Sequence, residues 1–370
     1  MPLTLLMHGK VGPKVQYEPL GPWLVPWELQ PGTHDDDYRA IRDRAALIDY
    51  STQAWLEIRG RDRADFLQRL LTNNIAALTP GAGCRTALLA PNAKLVATGL
   101  ALADADALWL ACDLPQAAPL VAALEQYHFS EEVAITAHER RFGVLAIEGP
   151  QAMGALSRLA RAPIALPRPG DHQTLALGDG PVRLIRHGLT GGEGVWCVVE
   201  AERLDAMWRW LADQPAAGLR PIGWAALNTA RIEAGEPWFG LDMDESNLLP
   251  ETGLDHAMVS ETKGCYVGQE IVARMRTYGS PSQRLTGIVL DESIVPSPGE
   301  RLMRDGENVG RVTSSCLSPA LGQPIALAYL KRGADEVGAR VEMERGEDRF
   351  SATVTALPFI VSPESEVRSP

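Results

Sequence analysis

The 370-residue chain carries 35 basic and 47 acidic residues, a net charge of −12, and such a surface repels phosphate backbones, which argues against tight nonspecific nucleic-acid binding. With 45% apolar and 22% charged residues it reads as an ordinary soluble globular protein, long enough for two or three domains. No apolar run reaches the length of a transmembrane helix, so no membrane partner is expected.

Residues 1–36 are rich in Pro and Gly and lack periodicity; Trp23 and Trp27 suggest an extension lying against the body. A first helix is expected from about Asp37, with Tyr38, Ile41, Ala45 and Ile48 on one face. One pattern then occurs twice. Ala54, Leu56 and Ile58 alternate as a strand, and Asp62 caps a helix with an apolar face of Phe66, Leu67, Leu70 and Leu71. Residues 84–89 and 94–101 pair around Pro91-Asn92, followed by a strand at 107–112, a helix at 115–127 and a strand at 133–137. The second copy has a strand at 142–147, a helix from Pro150 to Leu159, strands at 174–177, 182–187 and 195–200, and a helix through Leu204, Met207, Trp208 and Leu211.

A helix at about 224–234 leads into a long polar loop, 235–263, whose acidic residues include Asp242, Asp244, Glu245 and Glu251. Their spacing lacks the order of a calcium loop, and a solvated face is expected. Loops of this length are usually functional or mobile. After Pro281, short alternating runs at 285–290, 309–313, 325–330, 340–344 and 350–355 predict a small β-barrel. The expected fold is α+β: paired ferredoxin-like units forming a body at 37–280, with lobes at about 50–140 and 141–235 and a loop at 236–280. A barrel at 281–360 and a disordered tail at 361–370 follow.

The five cysteines, Cys84, Cys112, Cys197, Cys265 and Cys316, are scattered, with no C-x-x-C pair. This argues against a disulfide framework and for a reducing compartment, and offers no zinc or cluster spacing. No metal ligands are expected. Residues 1–7 are too short for a signal-peptide core, so a cytoplasmic location is expected.

The densest chemistry lies in Lys263-Gly264-Cys265-Tyr266-Val267-Gly268-Gln269-Glu270. Glycines permit close approaches or backbone angles that a Cβ forbids, and Lys263 and Arg274 are cations suited to holding the Cys265 thiol as thiolate. The same residues also read as a Gly-rich turn around a buried, inert cysteine. Gln269 and Glu270 either fix the turn or serve the site; Tyr266 either packs over a ligand ring or fills core.

This block, continuing into Ile271-Val272-Ala273-Arg274, resembles the signature of the YgfZ-type folate-binding proteins, relatives of the glycine-cleavage T-protein (GcvT, aminomethyltransferase-like). Arg231-Ile232-Glu233-Ala234-Gly235, residues 245–251, and, in the barrel, residues 310–315 and 325–329 add to the resemblance. It implies a T-protein-like folate-binding body with tetrahydrofolate or a derivative between the lobes. Arg231 is then a folate contact, with Tyr266, Gln269, Glu270 and Arg274 close by and Cys265 with Lys263 as the reactive pair.

Two departures stand out. The family's Tyr-Thr-Gly-Glu segment, whose glutamate faces the pterin, falls on Leu189-Thr190-Gly191-Gly192, which leaves Glu193, displaced by one, as the candidate pterin acceptor. Its Asp pair after the first hairpin turn falls on Ala97-Thr98, which have no carboxylate to act as acid or base; Asp104 and Asp106 lie beyond that strand.

The resemblance therefore implies a folate-binding accessory protein for iron–sulfur cluster assembly or repair, affecting tRNA modification indirectly, with iron–sulfur proteins as partners. The alternative is a folate-dependent one-carbon transferase (aminomethyltransferase-like), and a third reading is a binding module with a decayed pocket. The sequence leaves open whether any turnover occurs.

Overall fold

The computed structural model describes residues 2–12, 14–279 and 281–361. The N-terminal segment forms β1 (Leu3–Thr4), β2 (Gln16–Leu20) and β3 (Trp23–Glu28), a small sheet that its sequence does not announce. Trp23 is buried in the central core. The first helix, α1 (His34–Asp43), stops earlier than its periodicity predicts, and β4 (Ala45–Asp49) follows. All five residues of β4 are buried. A short apolar run enclosed on both faces has no helical or strand period to read.

The first lobe comprises β5 (Gln53–Arg59), α2 (Arg63–Leu70), β6 (Gly83–Leu89), β7 (Leu95–Ala103), β8 (Leu108–Asp113), α3 (Leu114–Gln126) and β9 (Ala134–His138), with sheet order β6-β7-β8-β5-β9. The second comprises β10 (Phe142–Glu148), α4 (Ala152–Ala160), β11 (His172–Leu177), β12 (Gly180–Arg186), β13 (Gly194–Glu200), α5 (Leu204–Ala212) and β14 (Leu219–Pro221), with order β11-β12-β13-β10-β4-β14. Each contains the split βαβ arrangement with an added edge strand. β4 pairs antiparallel with β10 as β9 does with β5. The second lobe thus borrows a strand from the segment preceding the first.

Strand alternation sorts side chains between cores. In β8, Leu108, Leu110 and Cys112 pack under α2 and α3, whereas Ala111 and the half-buried Trp109 face the other lobe. In β13, Val195, Cys197 and Val199 pack beneath α5, while Trp196 and Val198 face the first lobe. The two sheets meet face to face over these side chains. Each fully buried large apolar side chain contributes about 1.5–3 kcal/mol.

Helix α6 (Trp224–Glu233) is central, with all ten residues buried. The segment beyond it is less solvated than expected. Asp242 is 1% and Glu251 4% exposed, because Asp242 meets Arg231 and Glu251 accepts from the Leu248 amide at 3.1 Å. It also contains α7 (Asp255–Met258), and residues expected to continue the loop form α8 (Gln269–Tyr278).

A closed barrel follows, β15 (Gln283–Leu290), β16 (Arg301–Arg304), β17 (Glu307–Ser318), β18 (Gln323–Lys331), β19 (Arg340–Arg345) and β20 (Asp348–Thr355), in the order β15-β18-β17-β16-β19-β20. The short β16 is missing from the sequence reading. The fold is α+β with a C-terminal β-barrel. The expected tail, 361–370, lies from residue 362 outside the described residues. Among the described residues no helix is long and apolar enough to cross a membrane.

Candidate functional site

The two facing sheets part at one end, leaving a channel with about 620 Å³ of empty space, its open mouth included. Its floor is a row across neighbouring strands. Gln53 of β5 pairs with Asp113 of β8. The β7–β8 register runs Leu100↔Ala111 and Gly99↔Cys112, so one further step sets position 98 opposite 113. Thr98, Asp113 and Gln53 all line the channel. Ala97, on the other face of β7, packs into the first-lobe core.

Aromatic rings form the walls. Tyr50 stacks on Trp224 with centroids 5.4 Å apart and lies 5.6 Å from Trp196 and 6.2 Å from Trp238. Across the opening, Arg85 makes a two-pronged pair with Glu236, at 3.2 and 3.1 Å.

Two carboxyl groups here are perturbed by burial. Asp113 occupies the N-cap of α3, yet its side chain caps nothing. Its Oδ1 instead accepts from the Thr52 hydroxyl at 3.0 Å and the Gln53 amide at 2.7 Å. Oδ2 accepts no hydrogen bond from the described residues and is not an enclosed atom. Loss of water raises its pKa to about 6, against the pull of the Thr52 and Gln53 bonds. Glu148, at the end of β10, is 0% exposed. Its Oε2 accepts from the Leu189 amide at 3.0 Å and the Thr190 hydroxyl at 3.1 Å, holding the loop that lines the channel at residues 187–189. Oε1 has no partner among the described residues. Burial raises its pKa to about 8, so it is largely protonated at neutral pH. Gly194 lies against Oε1, leaving no room for a Cβ.

None of the residues expected at the site lines this channel. Arg231, expected against folate, is fully buried. Its guanidinium donates to Asn228 at 2.9 Å, to Ser314 of β17 at 2.7 Å and to Asp242. Asp242 also accepts from Thr313 at 2.6 Å, and Glu233, two residues on, accepts from Ser318 of the same strand. The Arg231–Glu233 segment therefore latches the body to the barrel, and Arg231 touches the channel lining from behind: its guanidinium covers the Trp238 ring at 4.6 Å and donates to the Glu236 carbonyl at 3.3 Å. Glu193, the candidate pterin acceptor, turns instead to Arg186 at 3.5 Å, its displacement by one position having re-aimed the side chain.

The Lys263 block docks the loop onto the first lobe. The Lys263 ammonium donates to three backbone carbonyls, Gln68 at 2.6 Å, Asn73 at 3.1 Å, and Leu71. It thereby satisfies acceptors at and beyond the C-terminus of α2 that the helix leaves unpaired. Burial lowers its pKa to about 8. Its ammonium also lies 5.1 Å from the Tyr266 ring centroid, and Tyr266 is core. Gly268, at φ +80°, packs against the carbonyl of Ala90, a conformation that favours glycine. Gln269 opens α8, and Glu270 pairs with Arg274 one turn on at 2.8 Å, both exposed. Cys265 is exposed; the other four cysteines are buried or half-buried, and none is in a disulfide. Asp104 is held by Arg183, His172 and Trp109. Among the described residues no group of three or more His, Cys, Asp or Glu is placed to hold a metal.

The sequence reading missed Tyr50, Arg85, Asp113 and Glu236. The one signal for Asp113 was an acid closing an apolar strand. Its meaning depends on which strand lies beside it, which spacing does not reveal.

Residues 8–262 match the GCVT N-terminal domain family, and residues 283–360 match the glycine cleavage T-protein C-terminal barrel domain. An aminomethyltransferase of Geobacillus kaustophilus (strain HTA426) is 30% identical over 359 residues, covering 92% of this chain and 93% of that protein. One of Bacillus subtilis (strain 168) is 28% identical over 341 residues with the same coverage. The crystal structure of glycine cleavage system aminomethyltransferase T from Bartonella henselae matches with a TM-score of 0.86 at 23% identity, over 97% of this chain and 98% of that one, a likeness of fold. These relatives correct the iron–sulfur accessory role and its link to tRNA modification: over 92% of the chain the similarity is to proteins named for aminomethyl transfer.

Proposed function

Because the chain belongs to the glycine cleavage T-protein family, we propose that it is a folate-dependent one-carbon transferase of the aminomethyltransferase type, with the inter-lobe channel as its site. Tetrahydrofolate is the one-carbon carrier of this family. The observation that carries the reading is the channel's donor set: aromatic walls, an ion-paired arginine and a partly free carboxyl in one space. Planar heterocycles favour aromatic walls, and an anionic tail favours arginine. Tyr50, Trp196 and Trp238 would flank the ring system, and Arg85, exchanging Glu236 for a ligand carboxylate, would hold the tail. Bound there, the carrier supplies amine nitrogens that accept a one-carbon unit.

The narrower YgfZ-type likeness is carried by residues 263–274, and we keep it as a proposal about lineage, separate from activity. A reducing, cytoplasmic setting belongs to the same proposal, supported by five free cysteines. Cys265 is proposed as the accessible thiol, with Lys263 serving the docking of its loop.

The test is anaerobic incubation of purified protein with tetrahydrofolate and an aminomethyl donor, with methylenetetrahydrofolate measured by mass spectrometry. Enzyme-dependent product is expected; product no greater than in the protein-free control rejects the reading.

A further inference from the structure

We infer that Asp113 is the proton-handling carboxyl of this channel, doing from β8 what the Ala97-Thr98 positions on β7 cannot. The inference rests on the one-carbon transferase reading and assigns it a catalytic residue. Four observations carry it. Positions 97 and 98 hold no carboxyl group, and of the two only 98 faces the channel. Position 113 follows opposite 98 from the antiparallel register, and side chains directly opposite have their Cβ atoms about 5 Å apart. A carboxyl moved from one to the other stays on the same face at the same depth.

The Asp113 side chain also forgoes the usual N-cap bond, although it occupies the N-cap of α3. Both of its hydrogen bonds fall on Oδ1, from Thr52 and Gln53. A carboxylate that grips a pterin edge in bidentate fashion needs both oxygens. With Oδ1 occupied, Asp113 offers one oxygen and therefore one proton position.

The chemistry needs one such position. Forming methylenetetrahydrofolate from an aminomethyl donor makes two C–N bonds to the carrier and breaks the donor carbon's bonds to its amine and to its own carrier group. Each new bond frees one N–H proton, and the departing amine and carrier group take up one each. Oδ2 relays these protons one at a time, with no change of oxidation state. The other titratable groups facing the channel are Tyr50, Arg85, His187 and Glu236, with Glu148 behind the 187–190 loop. Arg85 and Glu236 neutralise each other. Tyr50 keeps its proton because burial raises its pKa well above the ordinary value.

The experiment compares wild type, Asp113→Asn, and the double variant Thr98→Asp/Asp113→Asn, which returns the carboxyl to β7. Three quantities are measured: turnover, tetrahydrofolate Kd by anaerobic calorimetry, and the protons exchanged on binding near pH 6, from two buffers of different ionisation heat. Asp113→Asn should lower kcat about 100-fold or more, leave Kd within about threefold, and abolish part of the proton exchange. The double variant should recover at least about tenfold of the lost turnover. Undiminished kcat, an unchanged proton count, or a kcat loss with no recovery in the double variant would overturn the assignment. If wild type binds tetrahydrofolate but forms no product, the transferase reading itself fails, and this inference with it. An active wild type with an indifferent Asp113→Asn rejects this inference alone.

Discussion

Replacing Glu148 by glutamine should change how stability depends on pH. In the folded protein the carboxyl is enclosed, its Oε1 unpartnered, and its pKa is raised from 4.5 to about 8 by burial. A group whose folded pKa is raised contributes stability that is fully present below the unfolded value and is lost as pH rises through the folded one. The window is therefore about pH 4.5 to 8. Each pKa unit is worth about 1.4 kcal/mol, so a shift of this size corresponds to roughly 4–5 kcal/mol across the window, as an upper bound. Glutamine keeps the shape and cannot ionise. It places an amide donor where Oε1 had no partner, an offset of about 1–3 kcal/mol that does not vary with pH. Urea unfolding of both proteins at half-unit steps from pH 5 to 8.5 is the assay. The stability of Glu148→Gln minus that of wild type should rise by at least about 2 kcal/mol over this range. Parallel curves would refute the reading that burial keeps this carboxyl protonated in the folded protein.

Arg231→Ala should cost about 3–5 kcal/mol by stranding the buried Asp242 carboxylate, read as a lowered urea midpoint, and its effect on tetrahydrofolate affinity should follow from a displaced Trp238. Lys263→Met should cost about 2–4 kcal/mol through three unsatisfied carbonyls, and native-state hydrogen exchange should show the loss localised to the end of α2 and the following turn. Of the five cysteines, Cys265 should react first with a maleimide under native conditions, because the others are buried or half-buried; peptide mapping at one equivalent checks this.

How much was legible depended on the range of the signal. Elements with their own periodicity, such as β5, α3 and α5, carry their identity within a few residues. β4 does not, because burial on both faces erases alternation, and its place beside β10 is a partner choice about a hundred residues away. The Lys263 block was recognisable as special, but the cause differs from the expectation. Its lysine serves carbonyls of residues 68, 71 and 73, contacts that no local motif announces. Arg231 shows the same limit: an arginine on a helix reads as surface or ligand contact, and only the barrel's Ser314 and the loop's Asp242 make it a latch. The channel residues come from eight separate segments, and tertiary packing brings them together.

The account's central claim is that the inter-lobe channel holds tetrahydrofolate. The most direct measurement is an anaerobic calorimetric titration of tetrahydrofolate into wild type and into Thr98→Trp, whose indole would fill the channel floor. The account predicts saturable binding to wild type that weakens tenfold or more in a folded Thr98→Trp. Absence of binding to wild type, or equal affinity in the two proteins, would contradict it.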